Sequence, residues 1–328
     1  MKNSTYNKNS LFTIGIEEEY MLCDALTYDL IPKANIIMNK INPKNRNRYS
    51  YELILSEIES NTKICSEVNE AILEVANHRN ELKEICAKEN CLIGISGTHP
   101  TALAKDQIFV ENDSYNWVSS QLQYYAKRNI TFSTHIHIGI DNPDKCIQIC
   151  NTLRRWIAPM LALSINSPFF EGELTGMCSS RTFQFSTFPR TEIPGYIDSY
   201  NDYLDIIKNY KNTNSIEKPR QIWWKIRPHA EYGTIEFRMC DAQRSLKNIK
   251  MLTAISQALV HKIYTSNDYI KSSSYKHEYL NDSLWKASRF GLNCHIIDPG
   301  TDKIISMKDF INEMYLYCID SLKYFNNT

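Results

Sequence analysis

Leu11-Phe12-Thr13-Ile14-Gly15-Ile16-Glu17-Glu18-Glu19-Tyr20-Met21-Leu22-Cys23 sets three consecutive glutamates inside an otherwise apolar run. The run alternates, which reads as a β-strand. Successive strand side chains point to opposite faces, so residues two apart share a face. Thr13, Gly15, Glu17 and Glu19 then lie on one side, with Ile14, Ile16, Tyr20 and Leu22 on the other. Two carboxylates therefore project together. Unpaired, they would repel and resist burial. A hard divalent cation, Mg²⁺ or Mn²⁺, removes that cost because such ions prefer oxygen ligands. A solvated strand face produces the same alternation, so the motif alone leaves both readings open. Glu18 falls on the apolar side, where the pattern assigns it no role.

Other stretches repeat the design. In 130–140, Thr131, Ser133, His135, His137 and Gly139 share a face, while Phe132, Ile136, Ile138 and Ile140 pack behind it. A His-x-His pair aimed one way suits a metal, and equally a pair of hydrogen-bonded histidines. In 233–241, Ile235, Phe237 and Met239 form the apolar face; Glu236 and Arg238 share the polar one, where a mutual salt bridge would account for them. Lys225 and Arg227 share a face of the strand expected at 221–228, and arginine's rigid fork suits carboxylate and phosphate oxygens. Glu57 and Glu59 make a further pair on a strand over 52–59. Each pattern is weak alone; together they describe a sheet whose polar side holds metal and phosphates. Neither GxxxxGK[ST] nor GxGxxG occurs, so any bound ATP must rely on cations and arginines, not a glycine cradle.

The 328 residues allow two domains. Strands spread along the chain, separated by helices and without a Gly-, Pro- or Ser-rich linker, favour one composite sheet. The expectation is a polar, disordered tail at 1–10 and a single domain over 11–328. Further strands are expected at 91–96, 181–188 and 233–240. A long helix capped by Ser66 is expected, with others at 113–127, from Asn142 to about Leu163, and at 198–210, 246–265, 276–290 and 307–324. The 37 basic residues cancel the 37 acidic ones, so no global field favours nucleic acid or an anionic membrane. Ten scattered cysteines without a CxxC pair fit a reducing compartment. No secretory leader and no run long enough to span a bilayer is found, so a cytoplasmic location is expected. A homo-oligomer is allowed, though no stretch specifies one.

At this point an ordered series of motifs resembles a known family, the YbdK-like carboxylate-amine ligases, also called the type 2 glutamate–cysteine ligase family. The series is GIEEE at 15–19, SEIESNTKIC at 56–65, GTHP at 97–100, HIHIG at 135–139, NSPFFEG at 166–172 and TGMCSSR at 175–181. KIRPHAEYGTIEFRMCDA at 225–242 and WKASRFGL at 285–292 complete it. It runs from about Phe12 to Ile319. Family members usually carry a glycine shortly before the histidine pair, where this chain has Ser133-Thr134, and an alanine where this chain has Ile165.

The resemblance implies an α+β fold like glutamine synthetase and the guanido kinases: a curved, mainly antiparallel sheet, helices on its outer face, and the active site on the concave face. It implies metal ligands at Glu17, Glu19, Glu59, His137 and Glu236, with Arg181, Arg227 and Arg238 as phosphate or carboxylate partners. His135, Asn166 and Arg289 become site neighbours. The implied reaction uses ATP with Mg²⁺ or Mn²⁺ to phosphorylate a carboxylate, by default the γ-carboxylate of glutamate. An amine, by default cysteine, then displaces phosphate. Two alternatives remain: a metal-dependent hydrolase built on the His-x-His pair, and a non-catalytic nucleotide-binding protein of the same fold.

Overall fold

A computed structural model describes residues 6–266 and 269–327. The first half contains β1 (Ile14–Asp24), α1 (Ala34–Lys40), β2 (Tyr49–Tyr51), β3 (Glu57–Asn61), α2 (Val68–Lys88), β4 (Cys91–Gly94), α3 (Asp113–Leu122), β5 (Thr134–Gly139), α4 (Pro143–Leu153) and α5 (Ile157–Ser164). The second contains β6 (Phe169–Phe170), β7 (Glu173–Leu174), α6 (Ser180–Phe185), α7 (Tyr200–Asn212), β8 (Ile226–His229), β9 (Thr234–Phe237), α8 (Leu246–Ser266), α9 (His277–Phe290), β10 (His295–Ile297), β11 (Ile304–Ser306) and α10 (Met307–Tyr324).

Seven strands form one sheet in the order β2-β3-β1-β5-β9-β8, with β4 also paired to β1. Every pairing is antiparallel. The fold is therefore α+β, as the resemblance implied. On the apolar side, Ile14 and Ile16 of β1, Ile136 and Ile138 of β5, Ile226 of β8, and Ile235 and Phe237 of β9 join one buried cluster. Its other members include Val75 of α2, Ile149 of α4, Ile255 of α8 and Phe310 of α10. An antiparallel sheet covered on one face leaves the other free to be polar. Among the described residues, no helix is long and apolar enough to cross a membrane.

Several expectations change. The segment read as a strand at 181–188 is helical. Ser179 caps it, its hydroxyl accepting from Thr182 N, and the local cap outweighs the apparent alternation of Phe183 and Phe185. The strand over 221–228 shortens to Ile226–His229, preceded by a 3-10 turn at Pro219–Gln221. Ser66 does not cap α2. Glu67 holds that position, while Ser66 donates to Glu70 from its N–H and hydroxyl. The helix expected from Asn142 to Leu163 breaks into a 3-10 turn at Arg154–Trp156, one turn before Pro159, which has no N–H to bond the carbonyl of residue 155. Phe132 joins a separate cluster with Met21 and Ile130 instead of backing β5. Of the tail read as disordered, residues 1–5 lie outside the described residues; Tyr6 is buried and Lys8–Ser10 form a 3-10 turn. That turn crosses the end of β5, where a Cβ on Gly139 would stand 1.8 Å from Ser10 O.

Candidate active site

The polar face of the sheet lines a cleft of about 1330 Å³. Strand register places its groups in rows. One row runs Arg227, Glu236, His137, Gly15 across β8, β9, β5 and β1. The next sets His135 beside Glu17 and Glu17 beside Asn61, and a third sets Glu19 beside Glu59 and Glu59 beside Ser50.

Glu17 is the meeting point. Its Oε1 lies 3.2 Å from His137 Nε2, and its Oε2 lies 3.1 Å from His135 Nδ1. Burial would raise its pKa, but the charge of His137 and the hydrogen bond with His135 outweigh burial and hold the carboxyl far below its usual range. Glu236 is fully buried. Its Oε2 accepts from Arg227 Nε at 2.6 Å and Nη2 at 2.5 Å, and its Oε1 pairs with Arg238 Nη1. Burial again opposes the charge, and the two guanidiniums overcome it, leaving the carboxyl well below normal.

At the opposite end of the cleft several carboxyls crowd together. Glu59 accepts from Asn61 Nδ2 at 2.8 Å and Ser50 Oγ at 3.0 Å, yet burial and the charges of Glu17 and Glu19 push it up to about 8. Burial and neighbouring carboxylates raise Glu52 and Glu57 well above the usual range. Glu19 accepts from Ser133 N at 2.5 Å.

Two groups of donor atoms each lie within 4.8 Å of one another: Glu17, His137 and Glu236, and Glu17, Glu59 and His135. The histidines differ as ligands. His135 is used at both ring nitrogens, Nδ1 by Glu17 and Nε2 by Ser133 Oγ at 2.8 Å. His137 is held at Nδ1 by Thr234 Oγ1 at 2.9 Å, while its buried Nε2 has no hydrogen-bond partner among the described residues and points between Glu17 and Glu236. A ring fixed through one nitrogen with the other left open beside two carboxylates is a fitting cation ligand. Glu19 lies outside both groups, although it lines the same cleft.

Arg181, Arg227 and Arg238 all line the cleft. Arg181, on α6, is anchored by Nη1 to Met239 O at 3.3 Å and Nη2 to Arg238 O at 3.2 Å. Asn166 and Arg289 are not among the cleft-lining residues. Asn166 donates its N–H to Asp241 Oδ2 at 2.8 Å and its amide to Ala242 O at 2.8 Å. Arg289 donates to Gly176 O from α9. Both hold loops that carry α6.

Asp241 is the hub of those loops. Besides Asn166 N it accepts from Ser167 Oγ at 2.7 Å and Ser179 Oγ at 2.8 Å, so the 166–172 and 175–181 motifs converge on one buried carboxylate. Glu18 also acquires a role: Arg79 of α2 grips it, Nε to Oε2 at 2.9 Å and Nη2 to Oε1 at 2.5 Å, and Tyr20 adds a hydroxyl at 2.5 Å. Arg79 further donates to Gln243 O and Arg244 O. Among the cleft residues not singled out by pattern are Glu52, His229 and Tyr232. His229 and Tyr232 stack with ring centroids 4.2 Å apart, beside His137. The strand expected over 52–59 begins only at Glu57, which leaves Glu52 between β2 and β3, and the ring pair belongs to the β8–β9 turn region, so alternation could not place either.

The sequence profile of glutamate–cysteine ligase family 2 matches residues 13–325. A protein described as a candidate glutamate–cysteine ligase 2 from Chloroflexus aurantiacus is 34% identical over 315 residues, 95% of this chain and 81% of its own. One from Solibacter usitatus is 32% identical over 310 residues, 94% of this chain and 80% of its own. Among solved structures, a Francisella tularensis glutamate–cysteine ligase in complex with AMP superposes with a TM-score of 0.69 at 11% identity, covering 98% of this chain and 82% of that one. A bifunctional glutathione synthetase from Pasteurella multocida gives 0.60 at 12% identity, over 97% of this chain and 48% of that one. At these identities the two structures speak for the fold.

Proposed function

Since the chain belongs to glutamate–cysteine ligase family 2, a family of ATP-dependent carboxylate-amine ligases, we propose that it activates the γ-carboxylate of glutamate as an acyl phosphate and passes the acyl group to an amine, with cysteine the default acceptor. The observation that carries this reading is the open Nε2 of His137 between Glu17 and Glu236, in a cleft that joins crowded carboxyls to clustered arginines. Residues 11–328 act as one catalytic domain. All ten cysteines are free, which supports a cytoplasmic setting.

Glu17, Glu59, His137 and Glu236 would hold Mg²⁺ or Mn²⁺, with Glu19 at the edge of the platform. Such ions, when bound, neutralise charge on phosphoryl oxygens. Arg227 keeps Glu236 ionised and fixed, and Thr234 fixes the ring of His137. Arg181 and Arg238 offer guanidinium donors to the anions of transfer. A carboxylate oxygen takes the γ-phosphoryl group and ADP leaves. The amine nitrogen then bonds to the acyl carbon, the acyl C–O bond to the phosphoryl group breaks, and phosphate departs with that oxygen while the amine loses a proton. The AMP bound by the Francisella tularensis glutamate–cysteine ligase of the same fold supports a nucleotide cosubstrate. A hydrolytic site using both histidines is disfavoured because both nitrogens of His135 are already engaged.

Incubation with ATP, Mg²⁺, glutamate and a panel of amines tests the reading. ADP should form only when all components are present, together with an amide product. ADP formation that ignores the amine, or no turnover across a wide donor and acceptor panel, would contradict it.

A further inference from the structure

Lys225 takes no part in the arrangement above, yet it is only 1% exposed and its Nζ has no hydrogen-bond partner among the described residues. Lys225 immediately precedes β8, two residues before Arg227. Arg238 N donates to Lys225 O at 2.9 Å, so Lys225 and Arg238 form the row next to that of Arg227 and Glu236. Arg181 approaches the same place: Lys225 Nζ and Arg181 Cζ lie 5.2 Å and 5.8 Å from the centre of the Phe185 ring, and Phe185, Arg181 and Arg238 line the cleft with Lys225 directly behind them. The Nε atoms of Arg181 and Arg238 are also buried without partners among the described residues.

The nearby acids are committed elsewhere. Glu236 pairs with Arg227 and Arg238, Asp241 serves Ser167, Ser179 and Asn166, and Glu192 is exposed. Burial and the two guanidiniums lower the Lys225 ammonium to about 7. Three crowded cations with open donors form a seat for an anion, since an uncompensated buried charge is strongly unfavourable. The row of Lys225 lies two residues, about 7 Å, along the strands from the Glu236 row where a reacting carboxylate would meet the cations. Two carboxyls separated by three carbons span such a gap.

We propose that Lys225, with Arg181 and Arg238, seats a second carboxylate of the acyl donor and makes Lys225 the residue that selects a dicarboxylate. This rests on the ligase reading for the identity of the donor, and the test separates the two. Glutarate, butyrate and inorganic phosphate are titrated calorimetrically into the full chain with Mg²⁺, as wild type and as Lys225→Met, Lys225→Gln and Lys225→Arg. A charge-assisted contact corresponds to roughly ten-fold in affinity. Glutarate should therefore bind about that much more tightly than butyrate in wild type and in Lys225→Arg, with the advantage lost in the Met and Gln variants. Both neutral variants should also melt higher than wild type without ligand, which checks that they fold. Equal affinity for glutarate and butyrate in wild type, or an advantage that survives both neutral variants, would overturn the seat. So would Lys225 dependence seen only for phosphate. A Lys225-dependent glutarate advantage without ADP formation for any donor and amine would retain the seat and overturn the ligase reading.

Discussion

Glu17, Glu18 and Glu19 are neighbours with three different environments. Glu17 is ionised between two histidines, Glu18 is sealed under Arg79, and Glu19 takes the Ser133 amide at the acidic end of the cleft. Strand parity separated Glu18 from the other two but left it without a role, because its partner lies 61 residues away on α2. Removing one member of a buried ion pair leaves the other charge uncompensated and costs about 3–5 kcal/mol. Arg79 keeps two carbonyl acceptors, so Glu18→Ala should lose about 3 kcal/mol in urea unfolding while the folded fraction still turns over; unchanged stability would remove the staple from the account. Glu59 is the contrasting case. Glu59→Gln imitates the protonated carboxyl that the metal-free fold already holds, so it should leave stability unharmed and abolish activity, and retained turnover would exclude Glu59 from the metal platform.

The elements that carry arginines depend on contacts that periodicity does not encode. Apolar faces of β1, β5 and β9 were legible because each alternates over at least four residues, and α10 matched its expected bounds at 307–324. The 181–188 segment was misread because Thr182, Phe183 and Phe185 imitate a strand, whereas Ser179 and Asp241 fix a helix. Asn166 and Arg289, which the resemblance placed near substrates, act on that same support. Asp241→Asn removes charge from an acceptor of three hydrogen bonds and should cost about 1–3 kcal/mol. It should also depress activity through Arg181, although Asp241 does not line the cleft. A variant with lowered stability but unaltered kinetics per folded molecule would show that the loops do not set Arg181.

At the scale of the molecule, the cleft joins an end crowded with carboxyls to a cationic end with open donors. Burial and neighbouring carboxylates hold the Glu59 proton up to about 8 in the folded chain, whereas the unfolded chain releases it near 4.5. The folded state therefore binds more protons over that window, and metal-free stability should fall as pH rises through it. A cation must displace the same proton, so Mg²⁺ or Mn²⁺ affinity should rise until about pH 8 and level above it. Thermal unfolding with and without a chelator checks both: the stabilisation by metal should be larger at pH 8 than at pH 6. Equal effects at the two values would detach Glu59 from the cation.

The central claim is that a carboxylate is activated by phosphorylation. It is tested most directly by supplying the donor that supports turnover with ¹⁸O in its reacting carboxylate and examining the phosphate released alongside the amide. The account predicts one labelled oxygen in each phosphate, carried over when the acyl C–O bond breaks. Phosphate without label, its new oxygen drawn from water, would contradict it.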